Sequence, residues 1–124
     1  MPLVIFVDDS ETALASTKMV TTSMPIETKQ YLRAQDALAD IKAGMTPDLI
    51  ITDLNMPVMN GFEFLQGLRE LASTKRTPCL MLTTETKAEL KQQGKALGLT
   101  GWIVKPFNPA QLKSAIVRVL RLPA

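Results

Sequence analysis

Five short apolar segments alternate with segments of helical period along this chain, and that alternation limits the possible folds more than any other feature of the sequence. Four of the segments are almost wholly apolar, which is typical of parallel strands covered on both faces. They span residues 3–7, 48–51, 79–82 and 102–104. The fifth, residues 26–31, is more polar and follows Pro25, so it predicts an edge strand.

The segments between the predicted strands have apolar residues at helical spacing. After Pro109, apolar side chains recur at i, i+3, i+4, i+7 and i+8, namely Leu112, Ala115, Ile116, Val119 and Leu120. A helix behind Gly61 is predicted by Phe62, Leu65, Leu68 and Ala72. A shorter one, ended by Gly44, contains Leu38 and Ile41. Ser10 or Asp9 is expected to cap a helix that begins near Glu11.

Five β/α units of this kind predict a doubly wound α/β fold with a five-stranded parallel sheet and helices on both faces. The chain length of 124 residues suits a single domain over residues 1–124.

Composition excludes several classes of function. The chain has no histidine and one cysteine, so it lacks an intrachain disulfide, a Cys/His zinc site and a Ser-His-Asp triad. Cys79 lies in an apolar run and is expected in the core. The net charge of +2 gives no argument for nucleic acid binding. We expect a cytoplasmic protein that does not enter the membrane, because the sequence shows neither a secretory signal nor a long apolar span.

Polar residues follow four of the predicted strands where each strand ends. Asp8 and Asp9 follow the first, Asp53 the third, Thr83 the fourth and Lys105 the fifth. The carboxyl ends of parallel strands meet at one edge of the sheet, so these side chains are expected to converge there. Three carboxylates repel one another unless a hard cation such as Mg²⁺ neutralises them. With a lysine and a hydroxyl nearby, the set is suited to phosphoryl transfer, with a carboxylate as nucleophile.

Four motifs carry a family resemblance. "VDDS", "DLNMPVMNG", "LTTE" and "GWIVKPF" occur in this order, with 44 residues from Asp9 to Asp53, 30 from Asp53 to Thr83 and 22 from Thr83 to Lys105. With its motifs in this order and at this spacing, the chain resembles the receiver domain of bacterial two-component response regulators, and most of all the stand-alone chemotaxis regulators. The resemblance covers the whole chain and implies a flavodoxin-like (βα)5 fold with strand order 2-1-3-4-5.

The resemblance also implies roles for individual residues. Asp53 corresponds to the phosphoacceptor, and Asp8 and Asp9 to the acidic pair that organises Mg²⁺ together with Asp53. Asn55 corresponds to a residue that offers its backbone carbonyl to the metal. Thr83 and Lys105 correspond to residues that bind the phosphoryl oxygens. The bond between Lys105 and the proline after it is expected to be cis.

By the same resemblance the chain is a signalling protein rather than an enzyme, and it catalyses only its own phosphorylation and dephosphorylation. A histidine kinase would supply the phosphoryl group. A downstream protein, with the flagellar motor switch as one candidate, would read the phosphorylated state without direct contact to nucleic acid or membrane.

Two positions depart from the usual family pattern. Trp102 stands where tyrosine or phenylalanine is usual, and its larger indole puts the inward swing of an aromatic switch residue, coupled to Thr83, in question. Thr84 stands where a small residue is frequent, and it is expected to narrow access to the phosphoryl group.

The helix after the fourth predicted strand carries a lysine at every fourth position, namely Lys87, Lys91 and Lys95. Gly94 is expected to interrupt this helix, at a cost of about 1 kcal/mol relative to alanine. By itself the pattern indicates a solvated, locally weak helix. In the resembling family this helix contributes to the face that binds partners, so we expect the lysines to face an acidic partner surface.

Three other functions share part of this residue pattern. A haloacid-dehalogenase-type phosphatase also uses an aspartyl nucleophile and Mg²⁺, but it needs an acid where this chain has Asn55. A flavodoxin needs a phosphate loop rich in hydroxyls and glycine, and Asp8 and Asp9 would repel a phosphate there. A receiver-like module that docks partners without phosphorylation is disfavoured by the intact acceptor, metal and lysine positions.

Overall fold

The computed structural model describes residues 1–123, in which strands and helices alternate strictly. The strands are β1 (Leu3–Val7), β2 (Glu27–Tyr31), β3 (Leu49–Thr52), β4 (Cys79–Thr83) and β5 (Gly101–Val104). The helices are α1 (Glu11–Thr21), α2 (Ala34–Lys42), α3 (Gly61–Glu70), α4 (Ala88–Ala96) and α5 (Pro109–Leu120). No helix among the described residues has the length and apolar character that crossing a lipid bilayer requires.

All neighbouring strands pair in parallel, in the order β2-β1-β3-β4-β5. The predicted strand order is therefore confirmed. The chain moves outward in one direction from β1 to β2 and in the other from β3 to β5, so the direction of winding reverses between β1 and β3. A crevice forms beyond the carboxyl ends of strands at such a point, and sites of open α/β sheets lie there.

Each face of the sheet is covered by helices, and the side chains of β1 show how the two cores separate. Val4 and Phe6 belong to the core under α1 and α5, with Leu14, Leu112 and Ile116. Ile5 and Val7 alternate with them and belong to the core on the opposite face. That second core packs against α2 and α3 through Ala37, Leu38, Ile41, Phe64, Leu65 and Leu68. Burial on both faces explains why β1 reads as a continuous apolar run.

Three helices begin at side chains that cap their first turn. Ser10 Oγ accepts a hydrogen bond from the Ala13 amide at the start of α1. Asn60 and Glu63 form a reciprocal capping box at the start of α3. Asn108 Oδ1 accepts from the Ala110 amide at the start of α5. These caps satisfy amides that have no partner within their own helix, and they fix where the helix starts lie relative to the strand ends.

The structure corrects several details of the sequence interpretation. β5 is not covered on both faces as its apolar run predicted, because it is the outer strand of the sheet and Trp102 and Val104 are partly exposed. Ala72 does not belong to α3, which ends at Glu70, and it is exposed. The second strand begins at Glu27 rather than Ile26. The third runs one residue later than predicted, over Leu49–Thr52.

Cys79 is fully buried at the start of β4, as its apolar surroundings predict. Burial raises the pKa of its thiol to about 12, so the thiolate needed for nucleophilic or redox chemistry does not form at neutral pH.

Candidate functional site

Three carboxylates meet at the crevice where the strand order reverses. Asp8 and Asp9 follow β1 directly, and Asp53 follows β3, the strand that pairs with β1. One carboxylate oxygen from each residue lies within 4.8 Å of those of the other two. Asp8 is only 5 % exposed and Asp53 only 9 %, while Asp9 is exposed. Sequence positions 8, 9 and 53 thus form one acidic cluster that opens to solvent on the side of Asp9.

Lys105 supplies the positive charge of the cluster. Its Nζ donates to Asp8 Oδ2 at 2.5 Å and lies 3.4 Å from Asp53 Oδ2. The backbone brings it there because the Lys105 amide donates to the Thr83 carbonyl, which extends the β4–β5 ladder by one residue. The Lys105–Pro106 bond is cis, in agreement with the family resemblance.

The charges of the cluster do not balance among themselves. Three carboxylates against one ammonium leave two negative charges (3 − 1 = 2) in a partly buried space. Burial raises the pKa of the Asp8 carboxyl above its ordinary value, and the hydrogen bonds from Lys105 and from the Ser10 amide oppose this only in part. The donor set fits a hard divalent cation, since Mg²⁺ prefers a few carboxylate oxygens and completes its shell with water.

Hydrogen bonds and the close approach of α3 fix the backbone around Asp53. The Asp53 amide donates to the Val7 carbonyl, and Asp53 Oδ1 accepts from the Leu54 amide at 2.7 Å. A Cβ on Gly61 would lie 2.4 Å from the Asp53 carbonyl oxygen, which no side chain tolerates without a backbone shift. Because Gly61 has no Cβ, the start of α3 can lie directly against the Asp53 backbone. The sequence analysis missed this role. A glycine eight residues after the aspartate is a weak signal by itself.

The loop between Asp53 and α3 contains an unusual turn. Val58 has a φ of 70°, and the Met59 amide donates to the Pro57 carbonyl, two residues earlier. A β-branched residue rarely adopts this left-handed conformation. Asn55 lies in the same loop with an exposed side chain, two residues after Asp53. Metal binding by its backbone carbonyl stays a prediction.

Thr83 ends β4 with its side chain fully buried. Its hydroxyl accepts from the Glu85 amide at 3.4 Å, and no hydrogen bond joins it to Asp53 within residues 1–123. Thr84, the next residue, is exposed beside the cluster and lines a cavity together with Lys105. The structure thus places Thr83 one strand away from Asp53, with its hydroxyl engaged in the loop after β4.

Trp102 is connected to that same loop. Its indole Nε1 donates to the Glu85 carbonyl at 2.9 Å, and its ring packs against Phe62 at a centroid distance of 6.4 Å. The indole lies in a small apolar cluster with Leu54 and Met81 rather than in the acidic cluster. Glu85 is a second residue that the sequence analysis missed, because its contribution is a backbone carbonyl and leaves no mark on the side-chain pattern.

Gly94 does not interrupt α4, which runs unbroken from Ala88 to Ala96. It is buried, and a Cβ there would lie 2.9 Å from Leu99 and 3.4 Å from both Phe62 and Trp102. The predicted interruption at this glycine is therefore wrong. A side chain at position 94 would crowd Leu99 first, and Phe62 and Trp102 less closely.

The three lysines do not share one helix as predicted. Lys91 and Lys95 are exposed on α4, but Lys87 is the residue that precedes its first turn. The helix starts one residue later than the four-residue spacing indicated, so the lysines line the start and the outer surface of α4.

Comparisons with known proteins agree with this geometry. The family model described as the response regulator receiver domain matches residues 4–117. The chain is 36% identical over 120 residues to the chemotaxis protein CheY1 of Helicobacter pylori, covering 94% of each chain. It is 34% identical over 119 residues to the chemotaxis protein CheY-3 of Vibrio cholerae, covering 94% of this chain and 89% of the relative.

Among solved structures, the chemotaxis protein CheY4 of Vibrio cholerae superimposes with a TM-score of 0.90 at 45% sequence identity. The match covers 97% of this chain and 99% of that one.

Proposed function

The chain belongs to the response regulator receiver domain family, and we propose that it accepts a phosphoryl group from a histidine kinase on Asp53 in a chemotaxis pathway. Residues 1–124 would act as one receiver domain in the cytoplasm. The observation that carries the proposal is the shared edge of Asp8, Asp9, Asp53 and Lys105, in which a nearly buried carboxylate lies beside both an acidic pair and an ammonium.

In the proposed transfer, one carboxylate oxygen of Asp53 attacks the phosphorus atom of a phosphohistidine. The new O–P bond forms as the P–N bond breaks, and the imidazole leaves with the electron pair of that bond. Lys105, 3.4 Å from Asp53 Oδ2, stays close enough to bind a phosphoryl oxygen after transfer. The Leu54 amide holds Asp53 Oδ1 and orients the carboxylate before the attack.

We propose Mg²⁺ as the cofactor, held by Asp8, Asp9, Asp53 and the Asn55 backbone carbonyl. When bound, the ion would offset the negative charge that develops on the phosphoryl oxygens. Asp8 and Lys105 also act without it, because their ion pair positions the ammonium between two carboxylates. The same residues would hold the acyl phosphate during hydrolysis by water, so that the chain catalyses both its own phosphorylation and its own dephosphorylation.

The proposed signal passes through the loop after β4. In the unphosphorylated structure the Thr83 hydroxyl binds the Glu85 amide, and the Glu85 carbonyl binds Trp102. A phosphoryl oxygen on Asp53 would compete for the Thr83 hydroxyl and shift this loop, which would change the position of Trp102 and of α4. A difference of a few kcal/mol in partner affinity between the two states is enough for such a switch.

A downstream protein would read this change, with the flagellar motor switch as one candidate. Lys87, Lys91 and Lys95 lie at the start and on the surface of α4, next to the loop that moves, and they would face an acidic partner surface. Reversing the charge of Lys91 and Lys95 should weaken binding of that partner while leaving phosphorylation of Asp53 at its normal rate. Loss of phosphorylation with intact partner binding would assign this face to the kinase.

The proposal is tested by measuring the mass of the intact protein after incubation with phosphoramidate, which carries the same P–N bond as phosphohistidine. With Mg²⁺ the protein should gain the mass of one phosphoryl group, and without Mg²⁺ it should gain little. Asp53→Asn keeps the size of the side chain but removes the nucleophile, so it should gain none. Asp36→Asn, which changes an exposed carboxylate on α2, is the matched control and should behave as the unmodified chain does. A phosphorylated Asp53→Asn variant would contradict the assignment.

A further inference from the structure

A second charged region lies at the edge of the sheet opposite the acidic cluster, where β4 and β5 begin. A groove of about 580 Å³ opens there between the last turns of α3, α4 and α5 and the loop before β4. We call it the basic groove after its charged residues, which are Arg69, Lys75, Arg76, Arg118 and Arg121. No aspartate or glutamate lines it within residues 1–123. It lies about 16 Å from the acidic cluster, the length of a five-residue strand.

The cations of the basic groove have no carboxylate partners among the described residues. The three ion pairs in residues 1–123 are formed by Lys29 and by Lys105. The sequence explains this isolation, since all twelve acidic residues of the chain lie at or before Glu89, in the first turn of α4, and every charged side chain after Glu89 is basic.

Helix ends account for only part of this positive charge. The carboxyl ends of α3, α4 and α5 lie at the groove, and each carries about half a negative charge that favours a nearby cation. Three such ends offset roughly 1.5 charges. The five basic side chains therefore leave a clear excess of positive charge for a partner from outside the chain.

The groove is built on a fixed frame. Arg69 donates to the Thr74 carbonyl at 2.8 Å and to the Gly98 carbonyl at 3.1 Å, so its guanidinium joins the loop before β4 to the loop before β5. Gly98 has a φ of 84°, and a Cβ there would lie 3.2 Å from Arg69 Nε. The loop before β4 and the loop before β5 are thus held together before any partner binds.

Arg121 occupies a position where another residue would be easier to accommodate. It follows the last turn of α5 with φ 56° and ψ 43°, in the left-handed region, and the Leu122 amide donates to the Val117 carbonyl across it. Glycine is the usual residue at such a helix end, because side chains disfavour this conformation. The chain instead has an arginine here, at the groove. Its left-handed backbone conformation lowers the stability of the helix end, and no contact within the helix offsets this.

The composition of the groove favours one class of occupant. Between the cations lie the apolar residues Pro78, Leu97 and Val119. A compact phosphate is bound best at helix amino ends, whereas here three carboxyl ends are present. An extended peptide with alternating carboxylate and apolar side chains satisfies both the cations and the apolar floor. We propose that the basic groove binds an acidic segment of a protein partner, independently of the chemistry at Asp53.

The probe for the test is a fluorescein-labelled peptide of alternating glutamate and leucine. Its binding is measured by fluorescence anisotropy at low salt, and its site by amide shifts in NMR spectra of the unmodified protein. We expect the shifted amides to lie in residues 75–77, 96–100 and 118–121. The double reversal Arg76→Glu with Arg118→Glu should weaken binding about tenfold or more, since it removes two surface attractions and adds two repulsions. Both residues are exposed, so the variant should fold normally.

The matched control is Lys18→Glu with Lys42→Glu, which changes the net charge equally on exposed positions of α1 and α2. Its affinity should stay close to that of the unmodified chain. Equal loss in both variants, or shifted amides only outside the groove, would overturn the proposal. So would binding of ATP, inorganic phosphate or duplex DNA at the groove without binding of the peptide. Both double variants should still gain one phosphoryl group from phosphoramidate, which separates failure of this proposal from failure of the proposed function.

Discussion

At the carboxyl edge of the sheet, Asp8 and Asp53 are largely buried, and both lie beside the ammonium of Lys105. At the opposite edge, the cations of the basic groove are mostly exposed, and none of them pairs with a carboxylate within residues 1–123. Both edges concentrate like charges, but in different surroundings. Buried like charges interact strongly and respond to a single ion or proton. Exposed like charges are screened by salt within about 10 Å and respond mainly to a large partner of opposite charge.

This difference suits the two edges of one small domain to two different functions. The acidic cluster has the burial and the short distances that chemistry at one oxygen atom requires. The basic groove offers area and charge without a reacting group. A change at one edge should therefore leave the function of the other edge nearly intact, and the following substitutions test that separation.

The largest effect is expected for Lys105→Met, which removes the ammonium beside Asp8 and Asp53 but keeps an unbranched side chain. Transfer from phosphoramidate should slow about a hundredfold, because the developing phosphoryl charge loses a positioned donor. Affinity of the acidic peptide for the basic groove should not change. Lys113→Met, at an exposed position of α5, is the control and should transfer at the normal rate. An unaltered rate in Lys105→Met would remove this lysine from the mechanism.

Glycines at the two edges should differ in their tolerance of alanine. Gly61→Ala should lower the free energy of unfolding by about 3 kcal/mol, because its Cβ would meet the Asp53 backbone at 2.4 Å. Gly98→Ala should lose only about 1 kcal/mol, from its left-handed φ, because the nearest atom to its Cβ, Arg69 Nε, lies 3.2 Å away and belongs to a side chain rather than to the backbone. Urea unfolding gives both values. Equal losses would show that the acidic edge is no more rigidly built than the basic one.

Trp102→Phe should have a smaller and more local effect. It removes the indole hydrogen bond to the Glu85 carbonyl and should cost about 1 kcal/mol in urea unfolding. Because that bond joins β5 to the loop of Thr83, the variant should also bind its downstream partner with less dependence on phosphorylation. Retention of the full dependence would mean that Trp102 only fills space.

The smallest effect concerns pH. The pKa of Asp8 is raised by burial, so its contribution to stability is present below the ordinary carboxyl pKa of 3.8 and is lost as pH rises through the raised value. Without Mg²⁺, the free energy of unfolding of the unmodified chain, measured with urea, should therefore include a decrease as pH rises from 3.8 through the raised pKa of Asp8. Asp8→Asn has no carboxyl to titrate there and should lack this decrease. Arg76→Gln, in the basic groove, should follow the profile of the unmodified chain. Identical profiles for Asp8→Asn and the unmodified chain would contradict the direction of the shift.

The fold could be predicted from sequence almost completely, because parallel strands covered on both faces leave continuous apolar runs such as residues 3–7. The exception was β5. Its run is apolar as well, but whether a strand is central or at the edge depends on strand order, which the run itself does not contain. The end of α3 was placed too late because Ala72 continues the helical spacing by chance, although the helix stops at Glu70.

At the candidate site, the sequence predicted which side chains follow the strands, and the structure adds how they are connected. The contacts of Glu85 were not predictable, since they use its backbone amide and carbonyl. The packing of Gly94 against Trp102 was missed for a different reason. A glycine within a helix indicates low helix propensity, and only the three-dimensional contacts show that it leaves room for the side chains of Leu99, Phe62 and Trp102.

The central claim is that Asp53 is the residue that receives the phosphoryl group, and locating the modified residue tests it most directly. Borohydride reduces an aspartyl phosphate to homoserine, so the protein can be phosphorylated with Mg²⁺ and phosphoramidate, reduced and sequenced by fragmentation mass spectrometry. The account predicts homoserine at position 53 and unmodified aspartate at positions 8 and 9. Homoserine at position 8 or 9, or its absence from all three, would contradict it.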